Sequence, residues 1–363
     1  MNGELPSQVR VVGTGLLGTS LGLALQARGV DVVLTDPSPT AQALARDLGA
    51  GRFASPDDDP GLVVVAAPPD VVADVVAAEL LTFPRAVVTD VASVKAGPLE
   101  SLRRKGCPLD RYVGGHPLAG RERSGAVAAR ADLFVGRPWV LTASAETDPG
   151  ALTLVRTVAS ALGGVVALMD AGEHDEAVAV ISHAPQVAAS LVAARLRDLP
   201  DQAVALAGQG IRDVTRIAAS DPAMWTQILA GNAAAVVRVL RQMQTDLGEL
   251  LRALDAIADG SPTGARATIA GLVCEGNRGQ ARIPGKHGGA PTSYASVVVL
   301  VPDRPDELAR LLHDVGAAGV NLEDLRLEHS AGQPVGLAEI AVLPAVEQRL
   351  LDALRELGWN VHG

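Results

Sequence analysis

At 363 residues the chain exceeds one ordinary domain, and about 150 residues per domain implies two or three. Its hydrophobic content of 48% rests on Ala, Val and Leu, with aromatics at only 2%, which suits small-residue helices and β-branched strands. A formal charge of −10 disfavours a general nucleic-acid or anionic-membrane surface, since either needs a basic patch, so an anionic substrate must be met by particular arginines.

Val9–Val12 reads as a short buried strand, followed by Gly13-Thr-Gly15-Leu16-Leu17-Gly18 and a helix from about Thr19 to Ala27. Strand, glycine turn and helix in that order form a dinucleotide-binding pattern. The glycines serve tight turning, close approach of a pyrophosphate to the backbone, and close helix–strand packing. The next apolar run, Val32–Leu34, leads to Asp36, placed to accept hydrogen bonds from ribose hydroxyls and to repel a 2′-phosphate, which favours NAD over NADP. A helix pattern follows over Thr40–Leu48, and Arg46 lies too far along it to argue for NADP. The apolar stretch Leu62–Leu81 is broken by Pro68, Pro69, Asp70 and Asp74, so it is no uninterrupted span of about 20 apolar residues. With no secretory pattern at the N-terminus, a cytoplasmic protein without membrane contact is expected.

β-like runs at Leu62–Ala66, Ala86–Thr89, Tyr112–Gly114 and Trp139–Leu141 alternate with helical stretches and predict a doubly wound parallel sheet, an α/β Rossmann domain over 1–170. Ala67 and Pro68, directly after one such run, join Gly13, Gly15, Leu16, Leu17, Gly18 and Asp36 as candidate cofactor contacts. From about Ala171 the strand signals stop. Ala/Leu/Val-rich helical patterns, including one continuous run over Ala223–Leu254, predict an all-α domain over 171–285. The Gly-, Pro- and Arg-rich segment Ser261–Thr292 reads as a linker or arm, with the linker proper at 286–294. After it, strand, helix, strand, strand, helix and strand patterns predict a small α+β (βαββαβ) unit over 295–363. Cys107 and Cys274, the only cysteines, lack metal-ligand spacing, so neither a disulfide framework nor a metal site is expected.

The chemistry-bearing residues gather after strands. Asp90-Val-Ala-Ser93-Val-Lys95 follows one, and Gly114-Gly-His116-Pro-Leu-Ala-Gly120 another; ligands of open α/β sheets collect at that edge, so His116 is a candidate general base. Later, on a helix starting near Glu173, Asp175, Ser182 and Gln186 fall on one narrow stripe, with His174 and His183 off it. Pro185 is expected to kink that helix and free a backbone carbonyl.

These segments, with His174–Gln186 and Arg212–Trp225, together resemble the prephenate/arogenate dehydrogenase family over about Val9–Arg282. The resemblance implies an NAD-dependent enzyme of tyrosine biosynthesis that oxidatively decarboxylates prephenate to 4-hydroxyphenylpyruvate. The alternative is arogenate, giving tyrosine directly. It implies that His116 takes the proton of the ring hydroxyl, that Ser93 helps orient that hydroxyl, and that Arg216 pairs with a substrate carboxylate. Ser182, His183, Gln186, Arg121, Glu122 and Asp213 become further substrate-site candidates. Prephenate-using relatives often carry histidine where Gln186 stands and threonine where Arg121 stands, which leaves the choice of side chain open. The helical domain is expected to form a homodimer. If His116 is the base, the rate is expected to rise with pH near the ordinary imidazole pKa of ~6.5.

Val301-Pro-Asp303-Arg-Pro305-Asp306-Glu-Leu308 with Gly319-Val-Asn321-Leu-Glu-Asp324 resembles an ACT domain, which implies an amino-acid site and tyrosine as a feedback ligand; Asp306 stands where that family usually has glycine. A structural or dimerising module without ligand is the other reading. Two further readings of the whole chain are a β-hydroxyacid dehydrogenase of the same layout and a non-catalytic sensor of NAD and an amino acid.

Overall fold

The computed structural model describes residues 4–120, 125–284, 294–329 and 334–362. Its first part alternates strand and helix: β1 (Gln8–Val12), α1 (Leu16–Gln26), β2 (Asp31–Thr35), α2 (Pro39–Asp47), β3 (Arg52–Phe53), β4 (Leu62–Val65), α3 (Val72–Thr82), β5 (Val87–Asp90), α4 (Ala96–Arg104), β6 (Tyr112–Pro117), β7 (Pro138–Thr142), α5 (Pro149–Ala161) and β8 (Val165–Leu168). The strands form one eight-stranded sheet in the order β3-β2-β1-β4-β5-β6-β7-β8. The order in which strands are added reverses between β1 and β4, the switch point at which such sheets bind ligands. Pairing is parallel except between β6 and β7, which run antiparallel with Gly115 opposite Leu141 and His116 opposite Val140. The parallel sheet expected from the strand–helix alternation is interrupted at this one pair: among the described residues between β6 and β7 there is a 3-10 turn at Ala126–Ala128 and no α-helix to carry the chain back for a parallel crossover.

The sheet is apolar on both faces because each face is covered. Val9, Val11, Leu62 and Val64 turn to one core with Leu21 and Leu25 of α1, while Val63, Val65 and Val88 turn to another with Val72, Val76 and Leu80 of α3. Each such side chain contributes about 1.5–3 kcal/mol of burial, which sets the strand register and hence the positions of the loops at the strand ends. Helix α1 starts at Leu16, three residues before the expected Thr19, so the third glycine lies inside the helix.

The helical part comprises α6 (Ala171–Val178), a π-helical turn over Ala179–His183, α7 (Ala184–Leu196), α8 (Asp201–Val204), α9 (Gln209–Thr215), a 3-10 turn over Arg216–Ala218, α10 (Pro222–Gly231), α11 (Ala233–Ala258) and α12 (Ala265–Gln280). Asp170 caps α6 through the amides of Gly172 and Glu173, and Glu173 completes the capping box. The expected continuous helix over Ala223–Leu254 is instead broken at Gly231–Asn232, where α10 and α11 meet at 93°. The expected arm over Ser261–Thr292 is helical for most of its described length, since α12 occupies 16 of its residues. Ala171–Leu196 is long and apolar enough to cross a membrane, unlike anything expected from the sequence, yet it buries His174, Asp175, His183 and Gln186.

The last part runs β9 (Ala295–Pro302), α13 (Glu307–Ala317), β10 (Asp324–His329), β11 (Val335–Val342), α14 (Glu347–Glu356) and β12 (Asn360–His362), the expected βαββαβ order. Its antiparallel sheet, β10-β11-β9-β12, buries Val297, Val299, Ala338 and Ile340 with Leu311 of α13 and Leu350 and Leu354 of α14. The described residues form two compact units, Met1–Leu199 with Val214–Met243, and Pro200–Asp213 with Gln244–Gly363.

Candidate active site

The glycine turn divides its labour. Gly13 has φ +99°, and a β-carbon there would run into the Ala66 carbonyl; one at Gly18 would overlap the carbonyl of Gly13 itself. These two are required by packing. Gly15 is exposed, caps α1 without a side-chain bond, and has nothing within 4 Å of the place a β-carbon would take. Open space above the first amides of a helix is what a pyrophosphate needs, because those N–H groups have no partner within the helix. Leu16 and Leu17, half-buried, form that first turn.

At the end of β2, Asp36 is fixed beside the turn: Thr14 donates to its Oδ2 from both backbone (2.6 Å) and hydroxyl (2.9 Å), and the Ser38 amide donates to Oδ1 at 2.8 Å. A carboxylate offers about four acceptor positions, so capacity remains for a ribose hydroxyl. Arg46 pairs with Asp47 and lies 4.5 Å from the Phe53 ring centroid. Half-buried Ala67 and exposed Pro68 follow β4, on the other side of the switch point. The residues present therefore fit a dinucleotide.

Beyond β5 lies a buried polar cluster. Lys95, 1% exposed, donates from Nζ to Asp90 Oδ1 and to the Gly115 carbonyl (2.7 Å), and the Tyr112 hydroxyl donates to Asp90 Oδ2 at 2.7 Å. Burial pulls the lysine below its usual range against the opposing pull of Asp90, and burial with the Asp90 charge holds the Tyr112 phenol well above its own. The cluster ties the loop carrying half-buried Ser93 to the strand carrying His116. Gly114 and Gly115 permit this fit, since β-carbons there would meet Thr142 Oγ1 and the Asp90 carbonyl.

His116, 8% exposed, joins its Nδ1 to His174 Nε2 at 2.8 Å, and His174 Nδ1 meets Asp175 Oδ1 at 2.8 Å. Asp175 also accepts the amides of Lys95 (2.8 Å) and Ala96 (2.9 Å). Desolvation first, then the neighbouring His174, Lys95 and His183, hold the His116 pKa well below the ordinary imidazole value. The expectation of a base titrating near 6.5 is corrected accordingly. His183 is also lowered, by burial above all. It lies 1% exposed, 3.1 Å from Asn232 Nδ2 and edge-on to the Trp225 ring.

The expected stripe is corrected too. Asp175 and Gln186 are buried, Ser182 is half-buried, and His174 and His183, placed off the stripe by α-helical counting, are buried beside them. The π-helical turn immediately before Pro185 adds a residue to the turn and rotates the helix C-terminal to it. Gln186 donates to Ser190 Oγ at 3.4 Å. Arg216 is exposed at the start of the 3-10 turn that packs on α7. Asp213, exposed, accepts from Gln209 at 2.7 Å. Arg121 and Glu122 lie outside the described residues. Residues not singled out for the site from sequence are Thr14, Tyr112, Trp225 and Asn232, while His174 was considered but placed off the stripe.

Comparison with known proteins bears directly on this site. Models of the nucleotide-binding domain and the dimerization domain of prephenate dehydrogenase match residues 21–168 and 170–260. The chain belongs to the prephenate dehydrogenase family. A probable prephenate dehydrogenase, NovF, of Streptomyces niveus is 41% identical over 355 residues, covering 96% of this chain and 98% of its own. A cyclohexadienyl dehydrogenase of Zymomonas mobilis is 31% identical over 258 residues, 68% of this chain and 88% of its own. Among solved structures, prephenate dehydrogenase from A. aeolicus in complex with hydroxyphenyl propionate and NAD+ is 29% identical with a TM-score of 0.63, covering 74% of this chain and 98% of that one. Synechocystis arogenate dehydrogenase is 27% identical with a TM-score of 0.61, covering 75% and 99%.

Proposed function

We propose that this family member is an NAD-dependent dehydrogenase that converts prephenate to 4-hydroxyphenylpyruvate and carbon dioxide in tyrosine biosynthesis. The observation that carries the reading is His116, buried at the strand edge beside the glycine turn's sheet and held neutral by its surroundings. The family match, and relatives named for prephenate and cyclohexadienyl substrates, support it. Bound NAD supplies the hydride acceptor for the hydroxyl-bearing ring carbon. His116 takes the hydroxyl proton as the carbon–oxygen double bond begins to form, and Ser93 helps orient that hydroxyl. Loss of the ring carboxylate as carbon dioxide leaves the electron pair that completes the aromatic ring. The proton then returns to the phenol oxygen, so none is consumed overall.

Gly13, Gly15, Leu16, Leu17, Gly18, Asp36, Ala67 and Pro68 are assigned to the dinucleotide, and Arg216, Ser182, His183, Gln186, Asp213, Arg121 and Glu122 to the substrate side. Arg216 suits a carboxylate because a guanidinium fork binds it bidentately. Arogenate is the second reading, favoured by Gln186, a buried neutral amide where prephenate-using relatives often carry histidine. We place domain boundaries at 1–170, 171–285 and 295–363, with a homodimer formed through the helical domain, in keeping with the name of the matching model and with exposed apolar residues such as Ile181, Leu191 and Leu251. The protein is assigned to the cytoplasm, and the C-terminal unit to an ACT-like regulatory role with tyrosine as its candidate ligand.

Substitution tests the site. His116→Ala and Ser93→Ala are expected to bind NAD with near-normal affinity in a fluorescence titration while turnover falls by about 10²–10⁴-fold, the usual yield of a positioned base. Retained turnover in both variants contradicts the assignment.

A further inference from the structure

We propose that His174–Asp175 and Asn232 are positioning residues that lock His116 and His183 in opposite neutral tautomers, so that His116 presents a proton acceptor and His183 a proton donor. The inference rests on the functional reading above only where the proton acceptor on His116 is taken as the catalytic base; with the three rings neutral, the tautomers follow from the hydrogen bonds.

The Asp175 carboxylate can only accept, and it accepts the amides of Lys95 at Oδ1 and Ala96 at Oδ2, so both its oxygens are engaged by donors. His174 Nδ1, 2.8 Å from Oδ1, must then donate. In neutral His174 the other nitrogen, Nε2, carries the lone pair, and His116 Nδ1 at 2.8 Å must donate to it. His116 is left with its lone pair on Nε2. Burial of His116, His174 and Asp175, none above 8% exposed, keeps water from offering a substitute partner.

The second histidine is set from the other side. Asn232 places Nδ2 2.7 Å from the backbone carbonyl of Asp175, and a carbonyl only accepts, so the nitrogen rather than the oxygen of the amide must face it. The same Nδ2 lies 3.1 Å from His183 Nδ1, which therefore accepts and leaves the ring proton of neutral His183 on Nε2. One residue, Asp175, thus anchors both arrangements, through its side chain for His116 and through its carbonyl for His183. The break between α10 and α11 gives this a structural reason, because it puts Asn232 at the bend and 5% exposed.

Long-range proton–nitrogen correlation spectra of the full-length protein with ¹⁵N-labelled histidine, at neutral pH, read the tautomer of each ring directly. Signals are assigned by their loss in His116→Gln, His174→Phe and His183→Gln. The expected result is His116 and His174 protonated on Nδ1 and His183 on Nε2. A wild-type spectrum with His116 protonated on Nε2, with His183 protonated on Nδ1, or with either ring doubly protonated overturns the proposal, whatever the variants do. In folded His174→Phe, the His116 signal is expected to move away from the pure Nδ1–H form and kcat to fall at least about 10²-fold, as when a base is left in the wrong tautomer, with the KM for NAD within about twofold. An unmoved His116 signal in that variant also overturns it. If the tautomers stand but no cyclohexadienyl substrate is turned over, the functional reading fails alone.

Discussion

Two alanine substitutions in one motif separate folding from cofactor binding. At Gly18 a β-carbon overlaps the backbone carbonyl of Gly13, which cannot swing aside as a side-chain end does. Overpacking of this kind costs about 3 kcal/mol, the upper part of the usual range, or roughly 6–12 °C in Tm for a unit of this size. At Gly15 the same methyl group meets nothing within 4 Å, and the backbone at φ −73° is open to any residue. Gly15→Ala is therefore expected to keep Tm or raise it slightly, since alanine restricts the unfolded chain by about 0.4–1 kcal/mol. Its methyl occupies the space through which a pyrophosphate approaches the helix amides, so NAD affinity is expected to fall about 10- to 100-fold, or about 1.4–2.8 kcal/mol. Thermal unfolding and NAD titration of the two variants decide it. A Gly15→Ala protein that binds NAD normally, or a Gly18→Ala protein as stable as wild type, refutes the division of labour.

Lys95→Met is expected to cost about 3–5 kcal/mol in urea unfolding, because it leaves the fully buried Asp90 carboxylate without its cation; a loss under 1 kcal/mol contradicts this. With the His116 pKa held below the ordinary value, its neutral form persists to lower pH, so kcat/KM is expected to stay on its plateau below 6.5 and drop only in more acidic buffer. The same depression gives the unfolded chain more protons than the folded one in that window, so stability is expected to decline as pH falls from about 6.5; titration near 6.5 in the pH–rate profile contradicts the first, and pH-independent urea midpoints the second. Asp306→Gly relieves the one described non-glycine residue with positive φ, 69°, and is expected to stabilise the C-terminal unit by about 0.5–1 kcal/mol, a net of the left-handed strain and glycine's greater unfolded entropy; an unchanged or lower unfolding midpoint counts against strain at that turn.

The parts of the fold legible in the sequence are those governed by local rules. Val9–Val12, Gly13 to Gly18 and Asp36 announce a strand, a turn and an acid at a strand end, and the six C-terminal elements keep their order because each has its own period. The features that escaped detection depend on partners distant in sequence. The π-helical turn at Ala179–His183 has no period of its own, yet it decides which way His183 and Gln186 face. The break at Gly231–Asn232 is held by Asn232 bonding to Asp175, 57 residues earlier. Helix α12 was hidden by Gly271, Gly276 and Gly279, each costing about 1 kcal/mol of helix propensity. At the site, His116 was legible as a histidine fixed between glycines and a proline, whereas His174 was not, because its role comes from a ring on another element.

The central claim is the reaction, and the most direct test is NADH formation by the purified full-length protein with NAD, given prephenate or arogenate at matched concentrations. The account predicts NADH with stoichiometric carbon dioxide and 4-hydroxyphenylpyruvate from prephenate. A protein that binds NAD yet forms no NADH from either compound contradicts it.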